Sequence, residues 1–370
     1  MKREYGVDLL KAFAMFMVVC LHVMGSGGVL DAILERGGAF TIEYGFVRLF
    51  HTFCLCAVNC FVLASGYVMC GRAFKLRRII NIWALVVFYS MGWLLVAMTI
   101  FPHVEITWGS WVKACLPIGM DQYWFVTAYF ALFFTTPILN HLLETLPLQK
   151  QKWMFVGGFL LFSLYPTVLA RDLFELSAGY SYLWFCYLYL VGGFIQQNKN
   201  AIEIKSPKLI LAFGMCCVGT LACYVITSYI GKRINYQLGT SWFNYTSPGI
   251  FFEAVILFLL MRRIKVEQKA LQRLISFISP LVFSIYALHS NKVFREISNW
   301  NGRFSSLDDG YWTILNVIAA SLLICISCLI IDACRQQLLR LFVSVKKKIV
   351  YSTNKGLNLK CKLRMGRQEI

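Results

Sequence analysis

Charge is scarce in this chain: Asp, Glu, Lys and Arg make up 15% of 370 residues, against about 25% in a soluble globular domain. Acidic charge is scarcest, with 18 Asp and Glu beside 36 Lys and Arg, and hydrophobic residues reach 58%. That balance excludes a soluble domain and predicts an all-α polytopic membrane protein. The length alone would suggest two or three soluble domains, a prior that does not apply to so many apolar runs. The net charge of +18 does not imply nucleic acid. Lys and Arg cluster in short segments between apolar runs and in the C-terminal tail, with no zinc-finger spacing and no separate basic domain. Paired cysteines in a polar setting are missing too. Cys20, Cys54, Cys56, Cys60, Cys70, Cys186, Cys216, Cys217, Cys223, Cys325 and Cys328 lie inside apolar runs, where a thiol behaves as a small hydrophobe. Cys115 is a lone cysteine in a loop. No structural disulfide and no metal site is therefore expected. There is no internal repeat, and so no inverted-repeat signature of a transporter.

What is present is a series of runs of about 20 apolar residues. Ten spans are expected, near 7–26, 45–70, 79–100, 123–140, 153–169, 180–197, 209–230, 248–261, 277–294 and 312–332. Lys2 and Arg3 before the first run resemble the start of a signal peptide, but Asp8 and Lys11 interrupt it, and an uncleaved span is expected. An even number of spans puts both termini on one side. Roughly three quarters of the Lys and Arg then fall there, which makes that side cytoplasmic. The organisation expected is a transmembrane domain over 1–332 and a basic cytoplasmic tail over 333–370. The run Lys346, Lys347 and Lys348 suits anionic lipid, and a plain disordered tail fits the same composition.

The first span carries the chemistry. Asp8, Lys11 and His22 fall within roughly 60° of one another at 100° per residue, with Lys11 and His22 about 16 Å apart along the axis. Lys11 is expected near one surface and His22 near the midplane. An ionisable group within a span is a functional hypothesis by default, and the stripe suits an extended anionic ligand whose reactive end meets His22. A snorkelling Asp–Lys pair with a satisfied histidine would give the same pattern. Lys75, Arg77 and Arg78 follow span 2 and read either as a topogenic cluster or as a binding site for a polyanion. Tyr286 and His289 stand one turn apart in span 9, and Glu253 lies within span 8, where pairing with a cation of a neighbouring span is the simplest expectation. Arg48, His51 and Asn59 add polar groups to span 2.

The chain resembles acyltransferase family 3, whose members O-acylate sugars and other acceptors from within the membrane. VDLLK at 7–11 followed by His22 matches the family's opening segment, with Lys11 in place of its usual Arg. Phe61, then Ser65-Gly66-Tyr67, matches the end of its second span, and Lys75-Leu76-Arg77 its basic motif. Further matches are Tyr123-Trp124-Phe125 with Pro137, Gly192-Gly193, Ser247-Pro248 and Ser284-Ile285-Tyr286-Ala287-Leu288-His289. In three places the chain departs from the pattern. Lys11 loses the bidentate fork of Arg, Asn59 stands where many members have Pro, and Lys75 takes the first position of an Arg-x-Arg.

The resemblance implies a donor, acetyl-CoA or another acyl-CoA from the cytosol, and no permanently bound cofactor. Lys11, Lys75, Arg77 and Arg78 would hold its phosphates. His22 would act as general base or transient acyl carrier, with Asp8 orienting Lys11 or the span. Tyr286, His289, Glu253 and Trp124 would serve the acceptor or the structure. The acceptor implied is a hydroxyl of a cell-envelope polysaccharide or its lipid-linked precursor, at a bacterial inner membrane. Two other readings share the polytopic fold: a transporter or flippase for a lipid-linked sugar, and a non-catalytic sensor or scaffold.

Overall fold

The computed structural model describes residues 3–38, 41–101, 104–120, 122–201 and 204–365, with side chains as far as 341 and at 344. Among the described residues there is no strand. Nine helical segments among the described residues are long and apolar enough to cross a membrane, and the protein is an integral membrane protein.

The first is α1, Tyr5–Met24. The short α2, Val29–Gly37, follows it after a glycine-rich turn. The second span is broken at Cys56 into α3, Ile42–Leu55, and α4, Ala57–Met69. Next come α5, Leu76–Ile100, a short α6, Trp108–Cys115, and α7, Trp124–Thr145. The fifth span joins α8, Leu148–Phe159, to α9, Tyr165–Leu169, through a π-turn over Leu160–Leu164. Pro166 sits just beyond that turn. Its ring and missing N–H cannot fit a regular i→i−4 ladder, and one wide turn relieves both.

The expected sixth span is α10, Tyr182–Gln197. At 16 residues it is about 24 Å long, shorter than the hydrocarbon core. It does not face lipid along most of its length: Trp184, Phe185, Leu188 and Tyr189 are fully buried. It packs on α4 at glycines. A Cβ on Gly66 would stand 2.1 Å from the Tyr189 carbonyl oxygen, and one on Gly192 2.2 Å from that of Leu63. Lipid offers no hydrophobic drive for two helices to associate, so close backbone approach of this kind supplies the attraction.

The chain continues with α11, Ser206–Ile234, and α12, Pro248–Met261. The ninth span is α13, Lys269–Ile278, and α14, Val282–His289, separated at Pro280. It begins earlier than expected and ends at His289 rather than near 294, because Asn291 caps a new short helix, α15, Lys292–Ile297, by accepting from the Phe294 amide at 3.1 Å. The last helix, α16, Thr313–Met365, passes through 332 without a break. The side chains of Lys346, Lys347 and Lys348 lie outside the described residues.

Two interior polar side chains show how buried groups satisfy one another away from water. Asn59 donates to the Tyr245 carbonyl at 2.8 Å and accepts from Trp184 Nε1 at 3.0 Å. Asp332 accepts from Tyr89 and from Arg335, each at 2.6 Å.

Candidate active site

His22 occupies the last turn of α1. The helix ends two residues later, so His22 stands at its far end and not midway along it. His289 is the last residue of α14. The two helices bring the rings together, with His22 Nδ1 2.9 Å from His289 Nε2 and ring centroids 5.0 Å apart.

The positions of the hydrogens follow from the partners. His289 Nδ1 lies 2.6 Å from the Ile285 carbonyl oxygen, which only accepts. Nδ1 therefore carries the hydrogen, and in a neutral ring Nε2 carries the lone pair. His22 Nδ1 must then donate to that lone pair, which leaves the lone pair of His22 on Nε2. His289 is buried, 1% exposed, whereas His22 is partly accessible. The outer nitrogen of His22 is thus unprotonated, oriented from behind and open on one side, the arrangement of a positioned base.

Three aromatic side chains hold this end of the bundle. The last carbonyls of a helix lack intrahelical partners, and here side chains supply them. Tyr123 donates to the Ala287 carbonyl at 2.8 Å and receives Asn291 Nδ2 at 2.7 Å. Trp93 Nε1 donates to Leu288 at 3.1 Å, and Trp300 Nε1 to the His22 carbonyl at 3.3 Å. The loop after α1 is tied to the chain that carries Trp300 by Gly302 N to the Ser26 carbonyl, 3.1 Å, and Phe304 N to that of Gly27, 2.8 Å. Gly28 adopts φ +94°, and its Cα faces the backbone of Gly302, so a side chain there would meet both strain and main chain. Arg36 completes the frame with a two-pronged bond to Asp308 at 2.8 and 2.7 Å and a third to Glu43 at 2.7 Å.

The opposite end of α1 is basic. Asp8 accepts from Arg3 at 2.6 Å and from Ser279 Oγ at 3.1 Å, so it anchors α1 to the turn between α13 and α14. The ammonium of Lys11 feels Asp8, Arg72 and Arg78 as its charged neighbours. Of the expected cluster, Arg78 therefore joins Lys11, while Lys75 and Arg77 are exposed at the start of α5. Asp8 is 14 positions from His22, about 21 Å along the helix, and does not reach the imidazole.

Tyr286 lies 6.3 Å from the His289 ring and 5.7 Å from Phe125. Trp124 does not join the histidines. It packs on Tyr180 at 4.3 Å and Tyr245 at 6.2 Å. Glu253 is also elsewhere, fully buried. Its hydrogen-bond partner is Thr220 Oγ1 at 3.4 Å, and among the described residues it pairs with no cation, contrary to the expected ion pair. Its second oxygen has no hydrogen-bond partner among the described residues. Trp93, Asn291 and Trp300 were not singled out from the sequence. Each joins the site through contacts between distant parts of the chain, which leave no local pattern.

An acidic or hydrolytic triad is not what this geometry offers. It offers one oriented imidazole at one end of a span and a cluster of cations at the other. The model of a family described as an acyltransferase domain matches residues 4–333. No curated protein and no solved structure matches the chain. The family match covers nearly the whole chain, including both histidines and the basic cluster, and the protein belongs to acyltransferase family 3.

Proposed function

We propose that this acyltransferase moves an acyl group, acetyl in the simplest case, from cytosolic acyl-CoA to a hydroxyl of a cell-envelope polysaccharide or its lipid-linked precursor at a bacterial inner membrane. The observation that carries the reading is the His22–His289 pair, which leaves a lone pair on an accessible His22 Nε2. In this reading Lys11, Arg72 and Arg78, with Lys75 and Arg77 outside them, attract the donor's phosphates at the end of α1 that positive charge makes cytoplasmic. The thioester arm runs along the stripe of Lys11, Met15, Val18 and His22. His22 Nε2 takes the proton of the acceptor hydroxyl as its oxygen attacks the thioester carbonyl. The C–S bond breaks, and the departing thiolate recovers the proton from His22. His289 Nε2 accepts from His22 Nδ1 throughout and supports the transient imidazolium. A bound acceptor would lie toward the aromatic side chains around Tyr286, whose faces and hydroxyl suit an amphipathic sugar.

The test uses purified protein in nanodiscs with radiolabelled acetyl-CoA, following CoA release and acceptor labelling. Wild type should release CoA, and His22→Ala should lose turnover while keeping its fold. Near-wild-type turnover by His22→Ala would refute the mechanism. Family membership replaces the transporter and scaffold readings with an enzyme.

A further inference from the structure

The second span carries a cation that the reading above leaves unused. Arg48 lies six residues inside α3, about 9 Å from its first residue, toward the end of the bundle that holds His22. An arginine within a span is paired or functional. Among the described residues Arg48 has no carboxylate partner, and Glu43, five positions earlier, is taken by Arg36 at 2.7 Å.

Aromatic rings hold Arg48 instead. Its Nε donates to the Tyr44 hydroxyl at 2.8 Å. Its guanidinium carbon lies 5.1 Å from the centre of the Tyr44 ring, 5.7 Å from that of Tyr224 and 5.5 Å from that of Phe243. Tyr224 belongs to α11, and Phe243 ends a single turn, Gly239–Phe243, that folds back onto that helix. The turn can lie so close because Gly239 has no side chain, and a Cβ there would strike the Ser228 hydroxyl. Phe243 then stacks on Tyr224 at 4.2 Å, and His51 packs on Phe243 at 5.9 Å. Ring faces attract and orient a guanidinium but leave its in-plane hydrogens without acceptors. The two terminal nitrogens of Arg48 have no hydrogen-bond partner among the described residues, and neither is shut in by protein. Arg48 as a whole is partly exposed. The fork is therefore fixed at its stem and open at its tip.

Such a fork matches phosphate oxygens in pairs, and its surroundings say what carries the phosphate. Beside Tyr224, α11 exposes Val225, Ile226 and Tyr229, so the fork stands next to a helix that faces lipid. Its depth fits the reaction. Phe53 packs on Phe13 at 6.0 Å, and Tyr67, further along the same span, bonds Glu4, so this span runs antiparallel to α1. Arg48 is then level with Val18, and His22 is about 6 Å nearer the same end. A sugar attached outward of a phosphate on Arg48 falls at the level of His22.

We propose that Arg48, within its ring of Tyr44, Tyr224 and Phe243, binds the phosphate of a lipid from the leaflet on the His22 side. Resting on the acceptor reading above, that lipid is the carrier of a lipid-linked sugar. An ordinary anionic phospholipid presents the same phosphate, and the experiment separates the two sources.

Full-length protein in phosphatidylcholine nanodiscs is titrated with radiolabelled farnesyl diphosphate, a short prenyl carrier without its sugar, against empty nanodiscs. A parallel series measures the rise in Tm when phosphatidylglycerol is included. Arg48→Gln should weaken farnesyl diphosphate binding about tenfold to a hundredfold, the range for losing a charged hydrogen bond. Arg48→Lys keeps the charge without the fork and should fall between that variant and wild type. Tyr224→Leu spares Arg48 and should weaken binding about two- to fivefold, the scale of one exposed cation–π contact. The Lys and Leu variants decide the matter should Arg48→Gln fail to fold. Loss of the phosphatidylglycerol effect in the Arg48 variants, with farnesyl diphosphate binding unchanged, would overturn the carrier assignment and keep a phospholipid site. Both responses unchanged in all three variants would overturn the site itself. Wild-type protein that releases no CoA from acetyl-CoA, yet binds farnesyl diphosphate through Arg48, would sink the acyl-CoA reading and leave the lipid-phosphate site standing.

Discussion

At the scale of single residues, the hydrogen on His22 Nδ1 decides which nitrogen meets a substrate. That hydrogen is placed by His289, itself placed by the Ile285 carbonyl. His289 touches no reacting atom in the proposed mechanism and is a positioning residue. His289→Ala would free the imidazole of His22 to rotate and to change tautomer. The expected loss in kcat is about a hundredfold or more, the scale of a general-base contribution, with a KM for acetyl-CoA close to wild type. His289→Gln should recover part of it, because the Gln carbonyl can accept the same hydrogen while its amide nitrogen cannot replace a base. Equal activity in the Ala and Gln variants would assign His289 a packing role alone. Both histidines were legible in the sequence as polar groups in apolar runs. Their partnership was not, because 267 positions separate them and nothing in either segment encodes the other.

At the scale of elements, α10 is the case in which span length misleads. A helix of 16 residues is short for a span, yet it is among the most buried of the structure because Gly192 and, on α4, Gly66 let the two backbones meet. Gly66→Ala or Gly192→Ala should each force the two helices apart, with a cost of about 1–3 kcal/mol or more from overpacking, read as a fall in Tm in detergent. Gly219→Ala in α11 provides the comparison, since a Cβ there meets nothing within 4 Å. It should match wild type or gain slightly from the lower entropy of the unfolded chain. If the Gly66 and Gly192 variants melt like the Gly219 variant, the close approach of α4 and α10 is wrong. The break between α13 and α14 has a local origin in Pro280, whereas the end of α14 at His289 depends on Asn291 capping its successor.

At the scale of the whole molecule, positive charge predicts orientation. The Asp8–Lys11 end of α1 and the loop at Lys75 should face the cytoplasm, and α6 the opposite side. Cys115 at the end of α6 is exposed, which supplies a native reporter. A membrane-impermeant maleimide should label right-side-out vesicles at Cys115 and lose that signal in Cys115→Ser. Lys75→Cys, placed at an exposed position in the Cys115→Ser background, should label only after the vesicles are inverted. Labelling of both positions from one face would overturn the topology and, with it, donor entry at Lys11.

Some of this was determined by the sequence alone. Apolar length and the scarcity of charge dictate an all-α membrane protein, since a backbone in lipid must satisfy itself within each helix. Helical periodicity likewise dictates that Asp8, Lys11 and His22 share one face, because neighbours on a helix are set by a fixed angle per residue. The residue types available to a site were therefore visible. The tertiary structure decided which of them meet. It seats His22 at a helix end against His289, brings Arg72 and Arg78 to Lys11, gives Glu253 a hydroxyl in place of a cation, and surrounds Arg48 with aromatic rings. Such pairings follow from how helices cross and where loops fold back, and those depend on close packing summed over many distant side chains rather than on any local pattern.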